Sequence, residues 1–442
     1  MTRIPIALAT MLAPSCSHAY DLMDAYKHAR SNDPTISRFD AIKQAAREDV
    51  SLAHAPLLPR ISANLNLIEK DWGETAFPVR HRHTRHRTQA ITIDYRMFDI
   101  SGHSRLSAAK SASRAQDATY EAALQQLATR VVTAYFEVLT NDDALAFAKA
   151  NERVLDRQQE EASVRSKVGL ATTADVLDAR ARHSTSIAAV ITAEHLLADS
   201  REALSQITGK PVGRLKKLRE LLPVDAPPPA YLKASVARAV AGNPSVLAAR
   251  YNLESTEQGV ATARAGDLPT IDAALSYKRT AAWTQTPTRS AHGNTQGRRR
   301  RSGFTIGLTL RVPIVSAVTQ GSHVRRAIDQ REAAQGSLEL TRRRVVSDTL
   351  RYHRSVVAGV SKIAATKAEV ESFKNAHHAT QAGIEVGSRT IIDLLIVQQK
   401  LTRSLMDHSV ARHQFILDKL LLKKADGSLG MEDLEAINLL LQ

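Results

Sequence analysis

HSRLSAAKSASRAQDATYEAALQQLATRVVTAYFEVLTNDDALAFAKANERVLDRQQEEASVRSKV, residues 103–168, contains neither Gly nor Pro and is bracketed by Gly102 and Gly169. Helices of ordinary globular domains run about 8–20 residues, so an unbroken stretch of this length points to a coiled coil or a repeat architecture. Leu124, Leu127, Val131, Ala134, Val138, Leu145 and Ala148 recur at spacings of three, four and seven, the seam of a helix packed lengthwise on others. At about 1.5 Å per residue the stretch predicts a rod roughly 100 Å long.

Composition agrees with narrow helical seams. Apolar residues make up 43% of the 442 and aromatics only 4%. The net charge of +15 would ordinarily raise nucleic acid or an anionic surface as partner. The excess is patchy, however, with Arg80, Arg82, Arg85 and Arg87 in one cluster and Arg298 to Arg301 in another. Clusters of that kind read as exposed loops, and no nucleic-acid partner is expected. Residues 1–19 carry Arg3, an apolar run from Ile4 to Leu12, and Ser17-His18-Ala19 as a small-x-small cleavage site, a minimal secretory signal. The single Cys, Cys16, falls inside it. It is either removed with the signal or lipidated, although Leu12 stands four residues before it rather than three. No later stretch approaches the roughly 18 apolar residues of a membrane helix, so any membrane entry must be by strands.

The chain is written twice. Asn32-Asp33-Pro34 returns as Gly242-Asn243-Pro244, and Pro56-Leu57-Leu58-Pro59 as Gly266-Asp267-Leu268-Pro269, both at an offset of 210. Val168-Gly169-Leu170 with Asp175-Val176-Leu177 returns as Val386-Gly387-Ser388 with Asp393-Leu394-Leu395, at an offset of 218. Such a period is far too long for a solenoid unit and implies two similar halves, residues 20–226 and 227–442. Each half reads as two helices, two strands (about 60–69 and 88–98; about 270–279 and 303–313), a long helix (103–168; 318–385) and a return helix (173–207; 390–424).

In the strands apolar and polar residues alternate strictly. Ile61, Ala63, Leu65 and Leu67 interleave with Ser62, Asn64 and Asn66, and Phe304, Ile306, Leu308 and Leu310 with Thr305, Gly307 and Thr309. That pattern fits a transmembrane barrel, apolar to lipid and polar to the lumen, and equally a half-buried soluble sheet. Four strands cannot close a barrel, and an open edge in lipid costs several kcal/mol for each unpaired backbone group. Protomers would have to pool strands, eight in a dimer or twelve in a trimer.

With these residues in hand the chain resembles the TolC-like outer-membrane efflux and secretion channels over nearly its whole mature length. The segments that carry the resemblance are Asn32-Asp33-Pro34, Pro56-Leu57-Leu58-Pro59, Ala134-Tyr135-Phe136, Val168-Gly169-Leu170 with Asp175-Val176, and Val386 to Asp393. The resemblance implies a mainly α chain with a transmembrane β-barrel: a homotrimer whose twelve pooled strands sit in the outer membrane of a Gram-negative bacterium, above a periplasmic tunnel of long helices. It implies an exit duct rather than an enzyme, with no cofactor or metal. Its partners would be a periplasmic adaptor, an inner-membrane transporter and outer-membrane lipid. It further implies a periplasmic gate at Arg389 and Asp393 in the second half and Asp175 in the first.

Threefold symmetry would gather three copies of Asp393 into a carboxylate ring that favours cations. Thr172 to Asp175 and Thr390 to Asp393 also fit helix-start capping boxes, which is the plain structural reading of the same aspartates. Three gate positions depart from the family pattern: Ile396 replaces a second aspartate, Ile384 a tyrosine and Ala174 a threonine. Residues 70–88 and 279–302 are expected as outward barrel loops carrying solvated charge; His81, His83 and His86 are spaced too loosely for a metal site. The competing class is a periplasmic or surface coiled-coil protein without a pore.

Overall fold

The computed structural model describes residues 20–74, 80–220, 222–286, 295–313 and 317–442, so the expected signal segment and Cys16 lie outside the described residues. In chain order the elements are α1 (Leu22–Asn32), α2 (Pro34–His54), β1 (Arg60–Glu74), β2 (Arg80–Phe98), α3 (Ile100–Lys167) and α4 (Thr173–Thr208). The second series is α5 (Pro229–Gly242), α6 (Pro244–Ala265), β3 (Thr270–Thr286), β4 (Thr295–Arg311), α7 (Ala317–Glu385), α8 (Ile391–Ala425) and the short α9 (Met431–Asn438). The two long helices α3 and α7 are unbroken for 68 and 69 residues. Helix α3 starts before Gly102 rather than after it.

The chain folds into two compact units, and each takes segments from both sequence halves. Among the described residues, one comprises 20–38, 121–243 and 343–442, the other 39–120 and 244–342. In the first unit the predicted seam residues Leu127, Val131, Ala134 and Val138 are buried, joined by Val132, Tyr135, Phe136 and Leu139 on a wider apolar face. The Tyr135 hydroxyl donates to the carbonyls of Tyr20 and Lys216, 3.2 and 3.0 Å away. Beside that anchor, the backbone of Lys217 exchanges hydrogen bonds of 2.9 and 2.8 Å with Gln442. A buried phenol with both partners in place fixes the start and end of the described chain to the helical core.

The repeated Asn-Asp-Pro and Gly-Asn-Pro turns are satisfied in different ways. Asp33 is almost fully buried, accepts from the Thr35 amide and pairs with Arg130. Its counterpart Asn243 donates instead to the carbonyls of Lys424 and Ala425 at the end of α8.

The second unit contains a four-stranded antiparallel sheet in the order β1-β2-β3-β4. Directly opposed residues of antiparallel strands share a face. Ile61, Ile93, Leu275 and Ile306 form one row, and Ala63, Ile91, Tyr277 and Phe304 the next. Ser62, Thr92, Ser276 and Thr305 form a row on the other face. Near the helical end of that polar face Arg96 pairs with Asp272 at 3.0 Å and with Asp99 at 3.2 Å, next to a β-bulge between Arg96 and Phe98.

The strands run well past the expected ends. Residues 80–87 and 295–301 belong to β2 and β4, so Arg85, Arg87 and Arg299 to Arg301 are strand residues and not loop residues. Only the connections 75–79 and 287–294 remain between paired strands, and they lie outside the described residues. Hairpin pairing continues because backbone hydrogen bonds do not depend on apolar alternation, the only signal available in the sequence.

Candidate functional site

The aspartates singled out in the sequence stand at two equivalent turns of the first unit. Helix α3 ends at Lys167 and α4 begins at Thr173; α7 ends at Glu385 and α8 begins at Ile391. Each long helix stops on a glycine in the left-handed region, Gly169 at φ 77° and Gly387 at φ 72°, where an L side chain is disfavoured. The chain then enters the return helix through a complete capping box. Thr172 accepts from the Asp175 amide at 3.2 Å while Asp175 accepts from the Thr172 amide at 2.9 Å. Thr390 and Asp393 repeat the arrangement at 3.2 and 3.0 Å.

Hydrogen bonds to a carboxylate favour its charged form. The Thr172 amide and hydroxyl hold Asp175 below the usual carboxylate range, and the Thr390 amide and hydroxyl do the same for Asp393, with the Arg389 charge adding to it. This is opposite in direction to the rise that crowding of three aspartates would produce. Both readings of these residues, cap and charged ring, therefore rest on the same ionised side chain.

Arg389 is exposed and its stem lies alongside Gly383 in the last turn of α7; a Cβ added to Gly383 would stand 2.6 Å from the Arg389 Cγ. Ile384 is half-buried on α7, and Ile396, one turn beyond Asp393 on α8, is 41% exposed. The two turns are brought together. Asp175 and Thr390 line one groove of ≈ 210 Å³, with Leu170, Ile392 and Leu395 as its apolar wall. Asp393, Arg389, Ile384 and Ile396 do not line it.

Sequence reasoning missed the charged residues of this groove. Glu161 and Arg165 on α3 pair at 3.5 Å, and Asp178 and Arg182 on α4 at 2.9 Å. Their i,i+4 acid-to-base spacing on either side of the Gly169 turn was the available signal. No helix among the described residues is long and apolar enough to cross a membrane, and no cluster of His, Cys, Asp or Glu among them could hold a metal ion.

The chain matches known proteins over most of its length. Residues 25–210 and 236–428 match the family described as outer membrane efflux protein. The chain belongs to the outer membrane efflux protein family. It is 31% identical to the outer membrane protein TolC of Vibrio cholerae, over 98% of this chain and 96% of that one. It is 30% identical to TolC of Escherichia coli, over 98% and 88% of the two chains. The alkaline protease secretion protein AprF of Pseudomonas aeruginosa is 25% identical over 95% and 87%.

Among solved structures the Campylobacter jejuni CmeC outer membrane channel superposes with a TM-score of 0.77 at 14% identity, covering 95% of this chain and 90% of that one. The open state of the Neisseria gonorrhoeae MtrE outer membrane channel gives 0.72 at 17% identity, covering 93% and 90%. The outer membrane efflux protein is thus an exit duct of the outer membrane, built on the fold the family resemblance implied.

Proposed function

We propose that this efflux protein works as a homotrimer, a passive conduit without catalytic chemistry. A periplasmic adaptor would join it to an inner-membrane pump of the efflux or type I secretion kind. One observation carries the trimer. The protomer's sheet has four strands, one apolar and largely exposed face, and only one neighbour each for β1 and β4. Ile61, Phe304, Ile306 and Leu308 are all more than two-thirds exposed, which a surrounding apolar solvent makes favourable. Free edges in lipid are unfavourable, and pooling the strands of three protomers closes them. Family membership supports the adaptor and pump.

The gate reading assigns Asp393 and Asp175 to cation-attracting positions at the periplasmic entrance, with Arg389 offsetting the crowded carboxylates. Ile384 and Ile396 replace part of the polar network with apolar contact. Replacing Arg389 by Ser should raise the resting conductance of the reconstituted channel. Single-channel recording tests it, and a conductance equal to the wild type rejects the gate role of this arginine.

A further inference from the structure

The arginines of β2, β3 and β4 are distributed between two faces, and the register says which is which. Leu65, Gln89, Arg279 and Ser302 form the row after Tyr277 and Phe304; Leu67, Arg87, Ala281 and Arg300 form the row after that. Arg87, Arg279 and Arg300 are therefore on the apolar face, with Arg85 and Arg298 in the next row toward the hairpins, opposite Trp283. Arg299 and Arg301, opposite Ala282 and Thr280, are on the polar face. Solvated charge on a lumen-facing surface is ordinary, whereas arginines continuing the apolar face need a reason.

Their height supplies one. The Tyr277 and Phe304 rings lie 4.8 Å apart, centroid to centroid, and aromatic residues of a barrel gather at the membrane–water interface. One row along a strand is about 6.6 Å, so the arginines follow the aromatic pair at the depth of the lipid headgroups. They are at the hairpin end of the sheet, away from the strand ends that continue into helices α2, α3, α6 and α7.

Here Arg87, Arg279 and Arg300 border a cleft of ≈ 130 Å³ together with Gln89, Ala281 and Trp283. The carboxylates on this face among the described residues are Glu69, which accepts from Arg85 at 3.0 Å, and Asp71, which stands opposite His83 one row nearer the hairpin. Three like charges around one cleft repel each other unless an anion joins them, and guanidinium groups match phosphate oxygens in bidentate geometry.

We propose that Arg87, Arg279 and Arg300, beside Trp283, bind the phosphate groups of a phosphorylated glycolipid in the outer leaflet. A lipid is favoured over a soluble phosphate because the cleft adjoins the apolar rows, and only an amphiphile uses both. The site rests on the reading that the apolar face meets lipid.

The test uses the full chain reconstituted in nanodiscs, with binding of purified lipopolysaccharide measured by native mass spectrometry. R87Q/R279Q/R300Q should weaken binding about tenfold or more, whereas R299Q/R301Q on the opposite face should leave it unchanged. Lipopolysaccharide stripped of its phosphates should bind the wild type as weakly as intact lipid binds the triple variant. Inorganic phosphate at millimolar concentration should not compete. Equal loss in the two variants, tight binding of the stripped lipid, or full competition by free phosphate each overturns the site. Conductance is recorded in parallel. A wild-type chain that never enters lipid rejects the face assignment itself, and single Arg→Gln variants, each expected to weaken binding severalfold, serve where the triple variant fails to insert.

Discussion

At Asp393 one carboxylate caps α8 and, in the proposed gate, also attracts cations, and both depend on its ionised form. Its pKa is lowered by the Thr390 amide and hydroxyl, with Arg389 adding to it. A folded pKa below the unfolded one means that the capping contribution is present above the ordinary carboxylate value and lost as pH falls through the lowered one. Cation selectivity should then persist into mildly acidic solution. Asp393→Asn, which keeps an acceptor for the Thr390 amide, should lower selectivity while leaving stability nearly unchanged. Reversal potentials across a salt gradient decide it, and an unchanged potential in the Asn variant leaves the residue with its cap alone.

His413 titrates for a different reason. It is buried against Phe136, hydrogen-bonded to the Thr140 hydroxyl at 2.8 Å, and burial pushes its pKa down to about 4. The unfolded chain takes up that proton near pH 6.5 and the folded one does not, so stability should fall between about pH 6.5 and 4 by on the order of 3 kcal/mol. His413→Gln should flatten that part of the pH–stability curve. A curve of the same slope in the variant would show that other groups carry the acid sensitivity. Nothing in the sequence marked His413, because its effect comes from burial and not from any local pattern. The capping boxes, whose two members are three residues apart, were legible before the fold was known.

Elements were legible wherever a period ran long enough to be counted. The seam on α3 and the alternation along the strands are local patterns, and they predicted both the helices and the two faces of the sheet. Strand ends were not legible, since arginine- and histidine-rich segments carry no apolar alternation and are held by cross-strand backbone bonds. Depth in the membrane was hidden for the same reason. Leu65 shares its row with Arg279, whereas Ile306 stands in the all-apolar row of Ile61, Ile93 and Leu275. Arg at Ile306 should therefore cost about 2–4 kcal/mol, but Arg at Leu65 only about 0–1, with Thr305→Arg on the polar face mild as well. Denaturant unfolding in detergent compares the three, and equal costs would reject the assigned faces. The Gly387 turn offers a second comparison. At φ 72° with open space around it, Gly387→Ala should cost about 1–2 kcal/mol from backbone strain alone.

For the whole molecule the decisive quantity is the number of strands in the closed sheet. Each protomer supplies four in the order β1-β2-β3-β4, so joining β4 of one copy to β1 of the next leaves the order uninterrupted. Two copies would give the smallest closed barrel, about eight strands, whose interior is filled by side chains. Here the inward rows carry Arg96, Asp272, Lys278, Arg299 and Arg301, and charged side chains packed into so narrow a space would lose their water. Twelve strands leave room for them to stay hydrated around a lumen. The detergent-solubilised protein should therefore run as a trimer by light scattering, conduct ions in a planar bilayer, and require detergent for extraction. A dimer of the same conductance would show that eight strands can enclose a pore with these side chains. A chain that washes off membranes without detergent would instead support the pore-free coiled-coil reading.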